Sequence, residues 1–328
     1  MAGSAILVEG LVKRFGPVVA LDGVTFEVPA GSVFGLLGPN GAGKTTAVRI
    51  LTTILRPDRG RAEVLGRDVV RDPQGVRRVI GLAGQYAAVD PNLTGRENLR
   101  LVGTLAQLPR RVVRLRADAL LEGFDLAEAA DRPVRTYSGG MRRRLDVAAS
   151  LLQRPPVLFL DEPTTGLDLH SRNQLWNTIR DLVEGGTTVL LTTQYLEEAD
   201  RLAGRVAVVD RGRVIAEGPP AELKARLGAT VIELGMADEE RAGRALELVS
   251  RVVSDHPHRE GATVRLSSDD GPRILIEVLR AMDAEGLSPS NLAVREPSLD
   301  DVFLALTGHP TEVAPEGTAA TAERRETA

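Results

Sequence analysis

The sequence contains no cysteine, only four histidines and no long run of apolar residues. The absence of cysteine excludes a disulfide-stapled fold, a thiol nucleophile and any metal site with thiolate ligands. Four scattered histidines leave little for a zinc site. No apolar stretch approaches the roughly 20 residues that a membrane-spanning helix requires, and the N-terminus lacks the pattern of a signal peptide. We therefore expect a cytosolic chain that does not itself cross a membrane.

The chain also lacks a strong charge of either sign, because 41 basic residues stand against 45 acidic ones for a formal net charge of −4. This balance gives no electrostatic attraction to nucleic acid. The 328 residues, 43% of them hydrophobic, can form a sizeable core and suggest roughly two domains. Almost all basic residues are arginine, so each of the few lysines, Lys44 among them, is present either for a chemical reason or by accident.

The hydrophobic pattern predicts three segments. In residues 1–225, apolar strands alternate with helices, which is typical of a parallel sheet covered on both faces, and residues 86–155 form an arginine-rich helical part. Residues 226–307 approximate the split βαβ order of ferredoxin-like domains, provided that one more short strand lies near Val252. Residues 308–328 are rich in Pro, Glu, Thr and Ala without apolar periodicity, and we expect a disordered tail there.

The strongest motif is the string GPNGAGKTT, which follows the apolar run VFGLL and opens a predicted helix. It matches the pattern G-x-x-x-x-G-K-[ST], in which backbone N–H groups surround a phosphate, the lysine reaches the β- and γ-phosphates and the following hydroxyl binds Mg²⁺. The candidate phosphate-binding residues are Gly38, Asn40, Gly41, Ala42, Gly43, Lys44, Thr45 and Thr46, with Thr45 the metal ligand. A glycine-rich turn without function is the alternative, and the strand–helix context favours nucleotide binding.

Two weaker motifs follow. The apolar strand VLFL ends in Asp161 and Glu162. A carboxylate at the end of a buried strand can hold Mg²⁺ through water, which we assign to Asp161, and its neighbour can orient or deprotonate the water that attacks the γ-phosphate, which we assign to Glu162. Alone, this pattern is as typical of an ordinary acidic turn. The string YSGGM places Ser138, Gly139 and Gly140 at a helix start, where they bind an anion or simply cap the helix.

Together, these strings resemble the ATP-binding subunits of ABC transporters. GPNGAGKTT, Gln85, YSGGM, VLFLDEP and GLD (166–168) occur in the order and spacing of that family, over residues 5–220. The strings AGQYAAVD, YSGGMRRRLD, LDEPTTGLD, LLTTQYLEEAD and SLDDVFLALTGH look like the daunorubicin/doxorubicin-resistance type of exporter ATPase, which extends the resemblance through the second domain. The resemblance implies an α/β P-loop NTPase fold, a RecA-like core with an antiparallel β subdomain and a helical subdomain, followed by a small α+β C-terminal domain.

The resemblance also assigns roles to single residues. Phe15 matches the aromatic residue that stacks on adenine, with a place in the core of a β-layer as the alternative. Gln85 matches the loop glutamine that touches Mg²⁺ or the attacking water and senses the membrane partner. Ser138 and Gly140, with Gly139 between them, match signature residues that contact the γ-phosphate bound to the opposite subunit. Asp168 matches a loop that crosses the dimer interface.

One position departs from the family pattern. After the strand TTVLLTT most of the superfamily has a histidine that contacts the γ-phosphate, and this chain has Gln194. An amide supplies an N–H donor and carries no positive charge. We interpret Gln194 as a catalytic variant that acts with Glu162 and Gln85. The alternative is a subunit that binds ATP and dimerises with negligible turnover.

The resemblance implies an ATP-hydrolysing subunit that energises an exporter of drugs such as anthracyclines, with export of a lipid or another metabolite left open. Its ligands would be ATP and Mg²⁺, with GTP as a second candidate nucleotide. Its partners would be a second copy of the chain and a separately encoded integral-membrane permease, at the cytoplasmic face of the membrane. Nucleic acid is not an expected partner, because the insertion or duplication typical of ABC-type repair and translation ATPases is missing. The C-terminal domain contains no phosphate-binding loop, metal cluster or group of titratable residues, so we assign it no chemistry. Its closing helix either packs within that domain or docks a partner.

Overall fold

The computed structural model describes residues 3–85, 88–227, 230–253 and 257–307. Contacts divide the chain into two compact units, the first of which ends at Glu217 while the second begins at Gly218. The sequence pattern places this boundary at residue 225, so the two boundaries differ mainly by the short helix at Pro220–Ala225. In the structure that helix contacts the closing helix of the second unit. The expected tail at 308–328 lies outside the described residues.

The first unit contains both strands and helices. In order they are β1 (Ser4–Phe15), β2 (Val18–Pro29), β3 (Val33–Leu37), α1 (Lys44–Leu51), β4 (Arg59–Val64), β5 (Arg67–Asp68), α2 (Pro73–Arg77), β6 (Ile80–Ala83), α3 (Gly95–Leu105), α4 (Arg110–Gly123), α5 (Gly139–Ser150), β7 (Val157–Asp161), α6 (Leu169–Glu184), β8 (Thr188–Thr193), α7 (Leu196–Leu202), β9 (Arg205–Asp210) and β10 (Arg213–Gly218).

A six-stranded sheet of order β10-β9-β3-β8-β7-β6 forms the centre of this unit. The pairs β9/β3, β3/β8, β8/β7 and β7/β6 are all parallel. Every residue of β3, β7 and β8 is buried, as continuous apolar runs covered on both faces require. Because parallel strands end at the same edge of a sheet, the residues that follow β3, β7 and β8 meet there.

A second, four-stranded sheet of order β2-β1-β4-β5 packs against the first. Its β1/β2, β1/β4 and β4/β5 pairs are antiparallel. The rings of Phe26 in β2 and Phe34 in β3 stack with their centroids 5.3 Å apart, within one hydrophobic core that the two sheets share with α1. This packing fixes α1, and the loop before it, between the two sheets.

The arginine-rich part of the first unit is helical, with α3, α4 and α5 packed on one another. The helix α3 begins with a capping box, in which the Thr94 side chain accepts from the Glu97 amide and the Glu97 side chain accepts from the Thr94 amide. The helix α5 begins at Gly139, after its N-cap Ser138, and leads back toward β7, so it joins the helical part to the central sheet.

The second unit consists of α8 (Pro220–Ala225), β11 (Thr230–Gly235), α9 (Glu239–Val252), β12 (His258–Glu260), β13 (Thr263–Ser268), α10 (Gly271–Ala284), β14 (Asn291–Arg295) and α11 (Leu299–Thr307). Its antiparallel sheet has the order β12-β13-β11-β14, which suits the predicted ferredoxin-like order. The prediction of a strand near Val252 is wrong. The buried face of α9, with Ala242, Ala245 and Val249, continues the helix through Val252, and the short strand begins at His258.

Among the described residues, no helix combines the length and the apolar character that a membrane span needs.

Candidate nucleotide site

The GPNGAGKTT string forms the loop between β3 and α1. Gly38 and Gly43 have φ angles of +150° and +110°, and a Cβ atom at these positions would lie 2.1 Å from the Val209 carbonyl oxygen and 2.4 Å from that of Ala20. Only glycine fits at either position. Gly41, at φ +80°, has no atom within 4 Å of its Cβ position. The loop therefore packs tightly against the strands on one side and borders open space on the other.

The start of α1 suits an anion. Its N-cap residue is Gly43, which makes no side-chain capping bond, and the first turn contains no acidic residue. Backbone N–H groups at a helix N-terminus carry partial positive charge and bind phosphate when no side chain satisfies them.

Lys44, the first residue of α1, folds its side chain back over the loop. Its Nζ atom donates to the carbonyl oxygens of Gly38 (2.7 Å) and Pro39 (3.0 Å) and lies 3.8 Å from Glu162 Oε1. Burial lowers the pKa of Lys44, and the Glu162 and Asp161 carboxylates oppose this by stabilising the cation. A buried cation held by two loop carbonyls can exchange them for phosphate oxygens.

Asp161, at the end of β7, places a carboxylate beside α1. Its Oδ1 atom accepts hydrogen bonds from Thr45 Oγ1 at 3.2 Å and from the Thr192 hydroxyl, and the residue is 3% exposed. Mg²⁺ takes hydroxyl and carboxylate oxygens, and usually binds one or two carboxylates together with phosphates and waters. The described ranges contain no cluster of three or more acidic, His or Cys side chains that would hold a metal by itself. These oxygens therefore fit a Mg²⁺ ion that binds together with a nucleotide.

Glu162 follows Asp161 with a left-handed backbone, at φ +49°. Such a conformation costs a non-glycine residue about 1–3 kcal/mol and persists only where its surroundings enforce it. Here the Glu162 amide donates to the Thr192 carbonyl oxygen at 3.0 Å, which ties the turn to β8. The Glu162 side chain is only 8% exposed, and its carboxylate faces Lys44.

These groups face one cleft of about 360 Å³. Its lining residues are Val18, Val19, Ala20, Asn40, Gly41, Ala42, Gly43, Lys44, Thr45, Thr46, Gln85 and Glu162. The structure thus brings most of the loop, Gln85 and Glu162 to one cleft, and Asp161 is not among the lining residues. Phe15 is not among the lining residues. It pairs with Val18 across β1 and β2, is 46% exposed and lies 5.6 Å from Lys13 Nζ. The pattern of the sequence did not identify Val18 and Val19, because apolar residues at a strand start carry no chemical signature.

A larger cleft of about 580 Å³ lies beside α4 and the end of α6. Its charged lining residues are Arg116, Arg154 and Asp181, and none of the motifs reaches it. We assign the nucleotide to the smaller cleft, because the motif residues that can bind phosphate line that cleft and not the larger one.

The signature residues lie outside the cleft of their own chain. Ser138 is the N-cap of α5, and its Oγ atom accepts from the Met141 amide at 3.2 Å. Ser138 and Gly139 are exposed, and nothing lies within 4 Å of the Gly139 Cβ position. A Cβ atom on Gly140 would lie 2.6 Å from Ser171 Oγ, so the signature turn approaches the start of α6 closely.

Asp168 lies at that same start of α6. It is the N-cap residue, and its Oδ1 atom accepts from the Ser171 amide at 2.7 Å. This bond lowers the pKa of the exposed Asp168 carboxyl. The exposed signature turn and the Asp168 turn therefore form one surface beside α5 and α6.

Gln194 follows β8 and is 7% exposed. It does not line the cleft, and within the described ranges its Oε1 atom is buried without a hydrogen-bond partner. Glu198, one turn later on α7, is fully buried and accepts from Trp176 Nε1 at 3.1 Å. Burial raises the pKa of Glu198.

Sequence reasoning missed two buried charged residues on α5, Arg143 and Asp146. A signal was present, because their spacing of three places both side chains on one face of the helix, which also carries the buried Val147. Charged residues are almost never fully buried unless paired, so their position on an apolar face predicts a partner. The pattern could not tell which groups they would contact.

Comparisons with known proteins agree with this architecture. A family model described as "ABC transporter" matches residues 21–165, and one described as "ATP-binding protein DrrA1-3-like, C-terminal domain" matches residues 218–307. The chain is 54% identical to the daunorubicin resistance ATP-binding protein DrrA2 of Streptomyces coeruleorubidus, over 95% of this chain and 98% of that protein. It is 52% identical to the daunorubicin/doxorubicin resistance ATP-binding protein DrrA of Streptomyces peucetius, over 94% of each. A solved ATP-binding subunit of an ABC transporter superposes with a TM-score of 0.62 at 27% identity, covering 68% of this chain and 92% of that one. The expected fold class is confirmed.

Proposed function

The chain belongs to the ATP-binding subunits of ABC transporters, and from this premise we propose that it binds and hydrolyses MgATP to power drug export. The observation that carries the proposal is the single cleft in which Lys44, Gln85 and Glu162 meet beside the glycine-rich loop. ATP would place its phosphates on the loop amides and the α1 N-terminus, with Lys44 on the β- and γ-phosphates. Thr45 and, through water, Asp161 would hold Mg²⁺, with Gln85 reaching the ion or the attacking water. The ion would neutralise charge on the phosphate oxygens.

In the proposed reaction, a water molecule attacks the γ-phosphorus and the bond to the ADP oxygen breaks. Glu162 orients this water and accepts its proton, a role in which a general base contributes about 10²–10⁴-fold in rate. Gln194 would offer an amide N–H donor to the γ-phosphate once the cleft closes. The products are ADP and phosphate.

Stacking on the base would come from Phe15, which pairs with Val18 across β1 and β2, together with Val18 and Val19, which line the cleft. Stacking tolerates different bases, so we propose that GTP competes with ATP within about tenfold. Competition between the two nucleotides for the fluorescent analogue MANT-ATP measures this ratio. A preference for ATP well above tenfold would mean that hydrogen-bonding groups read the adenine.

We also propose that two copies sandwich two ATP molecules, each bound to the loop of one copy and the signature turn of the other. The support is the exposure of Ser138 and Gly139, which lie outside their own cleft. Mixing two inactive variants tests this arrangement. A Lys44→Met chain keeps a normal signature turn and a Ser138→Arg chain keeps a normal loop, so a mixed dimer contains one intact site. Hydrolysis by the mixture above that of either variant alone supports shared sites, and no gain contradicts them.

The final part of the proposal concerns transport. The relatives named above are daunorubicin and doxorubicin resistance proteins, and we propose that this chain joins a separately encoded permease at the cytoplasmic face of the membrane and drives export of an anthracycline. Inverted vesicles that contain both subunits should accumulate doxorubicin when MgATP is added, measured by quenching of its fluorescence. Vesicles with the Glu162→Gln chain are the matched control. Hydrolysis without doxorubicin uptake would separate the ATPase from this substrate and point to another metabolite or lipid.

A further inference from the structure

The helix α5 carries two charged residues inside the protein, immediately after the signature turn. Arg143 is 7% exposed and Asp146 is 3% exposed. They pair with each other, with Arg143 Nη1 at 3.1 Å from Asp146 Oδ2. Burying two charges is unfavourable unless further hydrogen bonds satisfy them. The role of this ion pair follows from the groups with which it forms its other hydrogen bonds.

Arg143 holds the turn that contains Glu162 from both sides. Its Nε atom donates to the Pro163 carbonyl oxygen at 2.9 Å, and Nη2 donates to the Asp161 carbonyl oxygen at 3.0 Å. A guanidinium group presents its donors in a rigid plane, so two bonds from one plane fix the orientation of the Asp161–Glu162 peptide group and of the Pro163 carbonyl one residue beyond Glu162. This matters because Glu162 has a left-handed backbone that needs such support.

The same pair holds the chain on both sides of Gln85. Arg143 Nη1 donates to the carbonyl oxygen of Gly84, directly before Gln85. Asp146 Oδ1 accepts from the amide of Ala88, three residues after it, at 2.7 Å. Both cleft residues assigned to the attacking water, Glu162 and Gln85, are therefore anchored to one ion pair.

We propose that Arg143 and Asp146 are positioning residues, which fix Glu162 and Gln85 relative to each other and to the helix that bears the signature turn. Neither residue lines the nucleotide cleft, so they act through the backbone that they hold. This proposal rests on the proposed ATP hydrolysis. It extends the site from the cleft into the interior of the protein.

Arg143→Lys tests the role of the guanidinium, because lysine keeps the charge and cannot reproduce the planar set of donors. We expect the affinity for MgATP and the thermal unfolding midpoint to stay close to wild type while kcat falls about 10- to 100-fold, since small displacements of catalytic groups have effects of that size. Arg144→Lys is the matched control. Arg144 is the next residue on α5, with its side chain 12% exposed, and it contacts Phe124 and Asp125, away from both catalytic turns. It should keep kcat within about twofold.

Asp146 provides a rescue experiment. Asp146→Ala removes the acceptor for the Ala88 amide, whereas Asp146→Asn keeps an oxygen there. We expect a fall in kcat for the alanine variant and recovery toward wild type for asparagine. Equal loss in both, or a loss of ATP affinity parallel to kcat, would assign the pair a purely structural role and overturn the proposal.

Hydrogen–deuterium exchange of the nucleotide-free full chain gives a readout without turnover. Exchange should rise in peptides that cover residues 84–88 and 161–165 in Arg143→Lys, and not in Arg144→Lys. Unchanged exchange in both peptides would overturn the proposal whatever the kinetics show. If Arg143→Lys alters this exchange but the wild type does not hydrolyse ATP, the proposed hydrolysis is wrong. The conclusion that the ion pair holds the two turns would still stand.

Discussion

Replacing Lys44 by methionine removes one positive charge from the cleft and keeps most of the side-chain volume. In the structure the Lys44 ammonium donates to the Gly38 and Pro39 carbonyl oxygens at 2.7 and 3.0 Å. In the proposed MgATP complex the variant would lose a hydrogen bond between the Lys44 cation and a phosphate oxygen. A hydrogen bond to a charged group contributes about 1.5–3 kcal/mol. The expected loss of MgATP affinity is therefore about 10- to 150-fold.

Titration with MANT-ATP and Mg²⁺ measures this loss, and circular dichroism on heating shows whether the variant remains folded. Lys224→Met is the control, because Lys224 lies on α8 in the second unit and is one of the only three lysines of the chain. It should bind MgATP like wild type. A folded Lys44→Met protein with wild-type affinity would refute the assignment of the phosphates to this loop.

Further predictions concern stability. Burial raises the pKa of Glu198 above its ordinary 4.5, so the folded chain keeps a proton that the unfolded chain releases, and stability should fall as the pH rises above about 4.5. Glu198→Gln cannot ionise, and urea unfolding should show a shallower fall in its stability with pH; parallel curves would contradict the raised pKa of Glu198. Gly43→Ala should destabilise the first unit and abolish MANT-ATP binding, because its Cβ atom would lie 2.4 Å from the Ala20 carbonyl oxygen. Gly243→Ala, on α9 with no atom within 4 Å, should instead stabilise the protein by about 0.5–1 kcal/mol in the same assay. Thr94→Ala should cost about 1 kcal/mol through loss of the α3 cap, and an unchanged unfolding midpoint would show that the cap contributes nothing.

The sequence predicted the fold class well, because the informative elements are long and strongly patterned. The runs VFGLL and VLFL are buried strands, and the strings that follow them meet at one edge of the sheet. Short elements were harder to predict. The strand His258–Glu260 has only three residues and no apolar alternation, whereas the helix before it keeps a buried face through its last turn. The pattern therefore placed the strand too early.

For the nucleotide site, the sequence identified candidate residues. The role of each of these residues stays a prediction. It could name Lys44 and Glu162, because their motifs carry chemistry within a few adjacent residues. It could not name Arg143, whose partners at Gly84, Asp161 and Pro163 are distant in sequence. Contacts to backbone carbonyls leave no trace in the identity of the residues that provide them, since every residue has a carbonyl group.

The most direct test of the account is the rate of ATP hydrolysis by wild type and Glu162→Gln at saturating MgATP, each assembled with the permease. The Glu162 carboxylate, which we propose acts on the attacking water, lies 3.8 Å from Lys44 Nζ, and glutamine keeps its shape without its basicity. The account predicts that the variant binds MgATP as wild type does, forms a stable ATP-bound dimer in size-exclusion chromatography, and hydrolyses ATP about 10²–10⁴-fold more slowly. Hydrolysis by Glu162→Gln at the wild-type rate would contradict it.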